Sequence, residues 1–300
     1  MTDQIIMFVS QLFSGLKIGS VYALVALGYT MVYGIIRLIN FAHGDFIMVG
    51  AYVLMLTIPA IVAAGLPAWV AIVPAILVCV AVGIIVEKAA YKPVREKGNS
   101  MTALITAIAM SLLLENGAQA VFGADFQTVP TIFHLPAVTF GKLRLAGDTI
   151  LTIVLGLVIM VGLQLFVKFT KQGKAMRAVS EDKEAAVLMG INVNSTISLT
   201  FAIGSGLAAI AGVLMCTAYP VLTPTVGMMP GIKAFTAAVF GGIGSIPGAF
   251  LGGILLGVIE TFTKAYISTQ LSDAVVFAIL IIVLLIKPTG LLGKAIREKV

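Results

Sequence analysis

Eight stretches of this chain are each apolar over the length that a helix needs to cross a lipid bilayer, roughly 20 residues. They are apolar on every side, whereas strands of membrane barrels alternate apolar and polar residues, so helices are predicted. We therefore expect an all-α integral membrane protein, a polytopic helical bundle of about 8 transmembrane segments forming a single transmembrane domain over residues 1–300. The predicted segments are 18–36, 46–64, 68–86, 101–121, 150–167, 197–218, 234–259 and 267–286.

Charged residues are few and unevenly placed. Only 11% of the residues are charged, against roughly 25% in soluble proteins, and the mean hydropathy is +1.11. Most of the 19 Lys and Arg residues fall in three short segments beside apolar runs, at 88–97, 168–183 and 287–299. Positive charge concentrates on the cytoplasmic side of membrane proteins, so we place all three there. The net charge of +6 then reports membrane topology, and no nucleic-acid partner is expected.

Counting crossings reveals an irregularity in the last third of the chain. Starting from the cytoplasmic segment 168–183, three simple crossings would leave the basic C-terminal segment outside, which the positive-inside rule disfavours. The best candidate for a segment that does not cross simply is 234–259, because four helix-breaking residues interrupt it. They are Gly241, Gly242, Gly244 and Pro247. We expect a broken or re-entrant helix near 241–248.

A second break is expected at 40–45, where Asn40, His43 and Asp45 gather polar atoms between two apolar segments. An aspartate deep in a membrane costs roughly 2.5–3.5 kcal/mol, so its position needs a reason. Asp45 could cap the helix that begins at Phe46. Alternatively, the group lines a water-filled path or pins the broken helix, with His43 as a proton carrier.

The two breaks share a spacing, which suggests an internal repeat. Gly44-x5-Gly50-Ala51 matches Gly242-x5-Gly248-Ala249 in corresponding parts of the two halves. Interrupted helices in matching halves of a transporter usually point towards the substrate path.

The remaining polar and small residues are interpreted as structural. Glu115 and Gln119 share a helix face beside Asn116, and interior hydrogen bonding is favoured over a substrate role. Lys233 and Glu260 are placed at the ends of their segment, where they can reach the interface, and are given no chemistry. Two ladders of small residues predict close helix packing. The ladders are Gly204, Ala208 and Gly212, and Gly244, Gly248 and Gly252.

The loop at 169–195 predicts a shaped element outside the bilayer. Asp182 and Glu184 favour the start of a helix, and Gly190 favours its end. This short helix should present a face of small residues to another protein. Its pattern Glu-Ala-Ala-x-x-x-Gly resembles the coupling signature of bacterial ABC importer permeases, in which a cytoplasmic helix sits in a groove of the ATP-hydrolysing subunit. The resemblance implies coupling roles for five residues: Arg177, Glu184, Ala185, Ala186 and Gly190.

Enzyme motifs are missing from the sequence or misplaced in it. No Gly-x4-Gly-Lys-Ser/Thr phosphate-binding loop occurs, so the chain is not expected to hydrolyse ATP itself. Cys79 and Cys216 lie in apolar stretches, and no Cys/His cluster suggests a metal. We expect no catalytic residues and no cofactor.

Motifs along the whole chain resemble the permeases of branched-chain amino acid ABC importers. They are 34–45 followed by Gly50-Ala51-Tyr52, 173–179, 184–192 and 239–248. The size of the chain is similar to that of the LivH-type subunit in the LivH/LivM family. The resemblance implies a translocation path in the bacterial inner membrane, paired with a homologous permease subunit as a heterodimer. It also implies two cytoplasmic ATP-binding subunits and a periplasmic substrate-binding protein that delivers leucine, isoleucine or valine.

Two other functions fit many of the same features. An ion-coupled secondary transporter also has broken helices and a membrane-buried carboxylate, but it needs no docking helix. An ABC permease for another small solute, such as an amide, urea or a sugar, would share the scaffold.

Overall fold

A computed structural model describes residues 2–133, 135–141 and 143–293, so the basic residues from Lys294 onward lie outside the described range. The helices are α1 (Thr2–Ile36), α2 (Asp45–Ala63), α3 (Ile72–Val86), α4 (Lys92–Lys97), α5 (Ser100–Phe122), α6 (Gly147–Phe169), α7 (Lys171–Glu181), α8 (Lys183–Leu188), α9 (Val193–Ala218), α10 (Met228–Gly241), α11 (Ile246–Tyr266) and α12 (Ser272–Ile286). Two 3-10 turns, Phe41–His43 and Ala68–Ala71, and a π-helical turn, Glu87–Tyr91, complete the helical structure. Strands β1 (Gln127–Thr128) and β4 (Val221–Leu222) form one antiparallel pair, and β2 (Val138–Phe140) and β3 (Leu143–Leu145) form another.

Seven helices in the described part of the chain are long and apolar enough to cross a membrane. The shorter apolar helix α12 adds 15 residues. The predicted polytopic helical fold is therefore confirmed. The first spanning helix is longer than expected, since it runs from Asp3 to Ile36 rather than from Ile18.

Small residues bring α1 into close contact with α11 at the centre of the bundle. A Cβ atom added at Gly19 would lie 2.8 Å from the Cα of Ile254, and one added at Gly15 would lie 2.8 Å from the Cα of Val258. The predicted ladder on α9 also packs inward, because a Cβ atom at Gly212 would lie 2.7 Å from the Ile47 carbonyl oxygen. Close backbone approach supplies the van der Waals contact that holds helices together where lipid gives no hydrophobic drive.

The first predicted break is present. Helix α1 ends at Ile36, and Arg37 adopts a φ of 59°, the left-handed region that residues other than glycine rarely enter. Its N–H donates to the Tyr33 carbonyl oxygen at 2.8 Å, which closes the last turn. After the turn Phe41–His43, α2 begins at Asp45.

The second predicted break is a hairpin between two helices. Helix α10 ends at Gly241, and Gly242 follows with a φ of 109°, a conformation that glycine adopts without strain. Helix α11 then begins with Pro247 in its first turn and with Ser245 as its N-cap. The single predicted segment 234–259 therefore corresponds to parts of two packed helices rather than to one crossing, which changes the number of passes in the last third of the chain.

Two details of the second break differ from prediction. Gly244 lies in the turn with a φ of 91°, so it is not part of a helical ladder with Gly248 and Gly252. The proposed repeat is not reflected in local geometry either, because Gly44 has a φ of −62° where Gly242 has 109°.

Contacts between distant parts of the chain gather the basic segments at one end of the bundle. Arg95 donates from Nη2 to Oδ1 of Asn194 at 2.7 Å. Partial burial, together with the neighbouring guanidinium groups of Arg95 and Arg37, lowers the pKa of Lys183. The Leu291 N–H donates to the Phe240 carbonyl oxygen at 2.9 Å, which places the end of α12 beside the α10–α11 turn. This arrangement agrees with the cytoplasmic placement derived from charge.

Candidate translocation path and coupling element

His43 and Asn40 are buried in the first break, where each contacts a side chain of another helical element. The His43 ring lies 4.6 Å from that of Tyr29 between centroids and fills space left by Gly28 and Gly204. Its Nε2 has no hydrogen-bond partner among the residues that the structure describes. Asn40 accepts a hydrogen bond at Oδ1 from the Tyr91 hydroxyl at 2.7 Å. This geometry favours a packing role for His43 over that of a proton carrier.

Asp45 does not cap α2, so that prediction was wrong. Gly44 occupies the N-cap position without a side-chain capping bond, and Asp45 is the first residue of the helix. Its side chain lines a cavity of about 200 Å³ between the first break, α5 and α10. Asp45 is 2% exposed, and its Oδ2 has no hydrogen-bond partner in the described part of the chain.

Helix α5 brings Ser111 and Glu115 to the same cavity as Asp45. Sequence reasoning had expected Glu115 to face inward, but it had not paired it with Asp45. The other two members of the predicted cluster do not join it, because Asn116 and Gln119 are exposed. Only 11% of the most apolar stretch of α5 is buried against other parts of this chain, so the helix is largely exposed.

The structure does not bring the two breaks together. Gly44 packs against Gly227 and Gly231 near the start of α10, whereas Gly241 and Gly242 lie at the other end of that helix. The second break instead contacts the end of α1, since the Gly244 N–H donates to Thr30 Oγ1 at 2.9 Å.

Lys233 and Glu260 are buried partners, which corrects their predicted positions at segment ends. They are 6% and 1% exposed, and Lys233 Nζ lies 2.8 Å from Oε1 of Glu260. Lys233 also pairs with Asp273 at 2.7 Å, and Glu260 pairs with Lys264 at 2.5 Å. The Tyr22 hydroxyl donates to Oε2 of Glu260 at 2.8 Å. This network joins α1, α10, α11 and α12.

A polar cluster that sequence reasoning missed joins the π-helical turn to α9. Glu87 is fully buried and accepts a hydrogen bond from the Ser198 hydroxyl at 2.7 Å. Arg95 pairs with the other Glu87 oxygen at 3.3 Å. The π-helical turn places Glu87 here, and no periodic signal in the sequence indicates such a turn.

Helix α8 begins and ends where the sequence predicted. Oδ1 of Asp182 accepts hydrogen bonds from the backbone N–H groups of Glu184 and Ala185, at 2.8 and 3.0 Å. Gly190 follows the helix with a φ of 79°. Arg177 on the preceding helix donates to the Lys168 carbonyl oxygen at 3.2 Å, which ties α7 to the end of α6.

The exposed face of α8 is not the expected small-residue face. Ala186 is 3% exposed and packs into the main hydrophobic core of the chain. The side chains that project outward are Val187, Leu188 and Met189, at 59%, 88% and 81% exposed. Glu184 and Ala185 are exposed as well. We call residues 187–189 the apolar tip of α8.

Comparisons with known proteins match the full extent of this architecture. A family model described as "Branched-chain amino acid transport system / permease component" matches residues 11–284. The permease protein LivH of the high-affinity branched-chain amino acid transport system of Salmonella typhimurium is 44% identical over 100% of both chains. The corresponding protein BraD of Pseudomonas aeruginosa is 45% identical over 98% of both. Among solved structures, PsaBC from Streptococcus pneumoniae in complex with Fab aligns with a TM-score of 0.47 at 18% identity, over 95% of this chain and 97% of that one. The full-length match shows that this multi-pass membrane protein belongs to the family of permease components of branched-chain amino acid transport systems.

Proposed function

We propose that this chain is one of two homologous permease subunits in an ATP-driven importer of leucine, isoleucine and valine in the bacterial inner membrane. Support for the substrate comes from LivH and BraD, whose printed names assign them to high-affinity branched-chain amino acid transport. The structural observation that carries the proposal is the apolar tip of α8, which projects from the basic end of the bundle.

The apolar tip fits a docking role for two cytoplasmic ATP-binding subunits. Leu188 and Met189 are more than four-fifths exposed, and adjacent exposed apolar side chains in water favour burial against a partner. The helix that carries them is held at its start by Asp182 and anchored by buried Ala186. A movement of the docked ATP-binding subunit that displaces the tip would therefore be transmitted to the bundle through α8 and α9. Arg177, Glu184, Ala185 and Gly190 shape or flank this docking element.

Most of the surface of α5 is not covered by any other described part of this chain, which fits an interface with the second permease subunit. Glu115 is only half-buried and Gln119 is exposed, although both lie on a predicted membrane-spanning helix. Polar side chains facing lipid are costly, so a protein partner or a water-filled path should cover this face. A path between two homologous subunits satisfies both needs. A periplasmic binding protein would deliver the amino acid to the opposite end, where β1 pairs with β4.

The apolar tip also separates this proposal from its rivals. An ion-coupled secondary transporter has no use for a docking helix, and uptake would then survive changes to it. A permease for another solute would keep the docking helix but would not carry leucine.

The experiment uses the permease co-expressed with its partner permease, the ATP-binding subunits and the binding protein. In Leu188→Glu with Met189→Glu, charge should prevent apolar docking, so ATPase co-purification and ATP-driven leucine uptake into proteoliposomes should both be lost. Membrane levels should stay near those of the wild type, because the altered side chains are exposed. The matched control is Phe126→Glu, which alters a side chain 80% exposed at the other end of the molecule and should retain ATPase co-purification. ATP-driven leucine uptake at the wild-type rate in the double variant would refute the coupling role.

A further inference from the structure

The cavity beside the first break has two different kinds of wall. Six of the twelve described lining residues are large and apolar, and they come from α5, α10 and the 3-10 turn. These residues are Phe41, Ile108, Leu112, Met228, Ile232 and Phe235. Polar groups enter from Asp45, Ser111, Glu115 and the Tyr29 hydroxyl. Mostly apolar cavities with a few convergent polar groups are typical of small-molecule sites.

Asp45 is the strongest sign that the cavity takes a ligand. Its carboxylate is 2% exposed, and Oδ2 lacks a hydrogen-bond partner among residues 2–133, 135–141 and 143–293. A buried polar group without a partner is costly, and native proteins rarely leave one without a reason. Since Asp45 does not cap α2, capping does not explain its position.

No cation within the described residues neutralises the acidic side of this cavity. Lys233 follows the lining residue Ile232 on α10, but its ammonium group is already paired with Glu260 and Asp273. Glu115 adds a second carboxylate, and Ser111 adds a hydroxyl that can accept a hydrogen bond. Two carboxylates that face one apolar cavity can both pair with a cationic ligand group that carries several hydrogen-bond donors.

We infer that this cavity is a binding station on the translocation path, where the α-ammonium group of a branched-chain amino acid contacts Asp45 and Glu115 and its aliphatic side chain contacts α5 and α10. The inference rests on the proposed function. Among the residues that the structure describes, the lining includes no Lys or Arg, so it offers no positively charged partner for the substrate carboxylate. The station therefore recognises only part of the amino acid, and weak binding of this kind suits a site that must release its substrate.

Two probes that each carry half of leucine test the station directly. Binding of 3-methylbutan-1-amine and of 4-methylpentanoate is measured by saturation-transfer NMR on the assembled permease–ATPase complex in nanodiscs, without binding protein. The amine should bind and the acid should not, although their apolar parts are alike. Asp45→Asn and Glu115→Gln should each weaken amine binding about tenfold or more, as expected for losing a charge-assisted hydrogen bond. Asp125→Asn, which removes an exposed carboxylate, is the matched control and should bind the amine as the wild type does.

The outcomes separate this inference from the proposed function. Equal binding of both probes, or amine binding unchanged in both cavity variants, would overturn the station even if ATP-driven leucine uptake by the wild type is normal. Amine binding without any ATP-driven leucine uptake in the presence of all partners would instead refute the proposed function. Displacement of the amine by Na⁺, with uptake following a Na⁺ gradient, would assign the carboxylates to ion coupling and overturn the station. If Asp45→Asn does not assemble, the half-buried Glu115→Gln decides the result alone.

Discussion

Asp45 and Glu260 are both buried carboxylates, but the groups that surround them differ. Glu260 receives two ammonium groups and a tyrosine hydroxyl, so its charge is fully accommodated. Asp45 faces an apolar cavity with one oxygen unpartnered by any described residue. A satisfied ionic network holds helices in place, whereas an unsatisfied carboxylate is available to a ligand.

At the residue scale, we predict that Glu260→Gln destabilises the permease. Removing one member of a buried ionic network leaves the other charges less well compensated, and such changes cost about 3–5 kcal/mol. The lower end is expected here, because Lys233 keeps Asp273 as a partner. The thermal midpoint in detergent, followed by fluorescence-detected size exclusion, should fall in Glu260→Gln but not in the exposed control Glu96→Gln.

The network makes a second prediction that tests whether charge is the cause. Replacing both partners, in Lys233→Met with Glu260→Leu, removes the buried charges together and should recover part of the lost stability. If the double variant loses as much stability, relative to the wild type, as the sum of the losses in Lys233→Met and Glu260→Leu alone, the two side chains do not act as a pair.

At the scale of elements, small residues decide which helix faces meet. Helix α1 touches α11 along Gly15 and Gly19, while glycines on helices at the edge of the bundle face open space. A Cβ atom at Gly162 on α6 would meet no atom within 4 Å. Glycine is therefore required for close helix packing at Gly15 and Gly19 but not at Gly162.

We predict that Gly19→Val disrupts the bundle and that Gly162→Val does not. The larger side chain at Gly19 would have to move the α11 backbone, since the Ile254 Cα lies 2.8 Å from the added Cβ. The folded yield and thermal midpoint should fall in Gly19→Val and stay near wild type in Gly162→Val. Comparable losses in both would show that helix propensity, not packing, controls these positions.

The orientation of α8 leads to another paired prediction. Ala186→Trp should reduce folded yield, because Ala186 is 3% exposed and the added volume has no space in the core. Ala185→Trp should fold normally, because Ala185 is exposed. It should weaken ATPase co-purification, because the bulky side chain would clash with an ATP-binding subunit docked on α8. Normal folding of Ala186→Trp would show that the helix turns its other face to the bundle.

At the scale of the whole molecule, the hairpin between α10 and α11 reconciles the crossings with the charges. Because α10 and α11 form a hairpin, the basic end of α12 lies beside the second break. Arg95 and Lys183 lie on the same side of the molecule. The opposite end carries the β1–β4 pair and the turn between α11 and α12.

This topology predicts the side from which introduced cysteines react. A cysteine at Gln172 should react only with reagents that reach the cytoplasm, and one at Gln270 only with periplasmic reagents, as both positions are exposed. The two native cysteines are buried, so the background should be low. Labelling of Gln172→Cys from the periplasm would contradict the orientation.

The sequence by itself determined the features that depend on neighbouring residues. Apolar length predicted the spanning helices, glycine and proline predicted both breaks, and Asp182 with Gly190 predicted the bounds of α8. Clustered positive charge predicted which end is cytoplasmic. Each of these signals acts within one helix or one turn, so no knowledge of distant contacts is needed.

Only the tertiary structure decided which side of each helix is buried and which polar groups meet. Spanning helices are apolar all round, so no periodic pattern shows the direction in which Ala186 or Glu115 points. Lys233 meets Glu260 across 27 residues, and Asp45 shares a cavity with Glu115 on another helix. Such pairings depend on how helices pack, because the energy that selects them comes from contacts between elements rather than from the chain on either side of each residue.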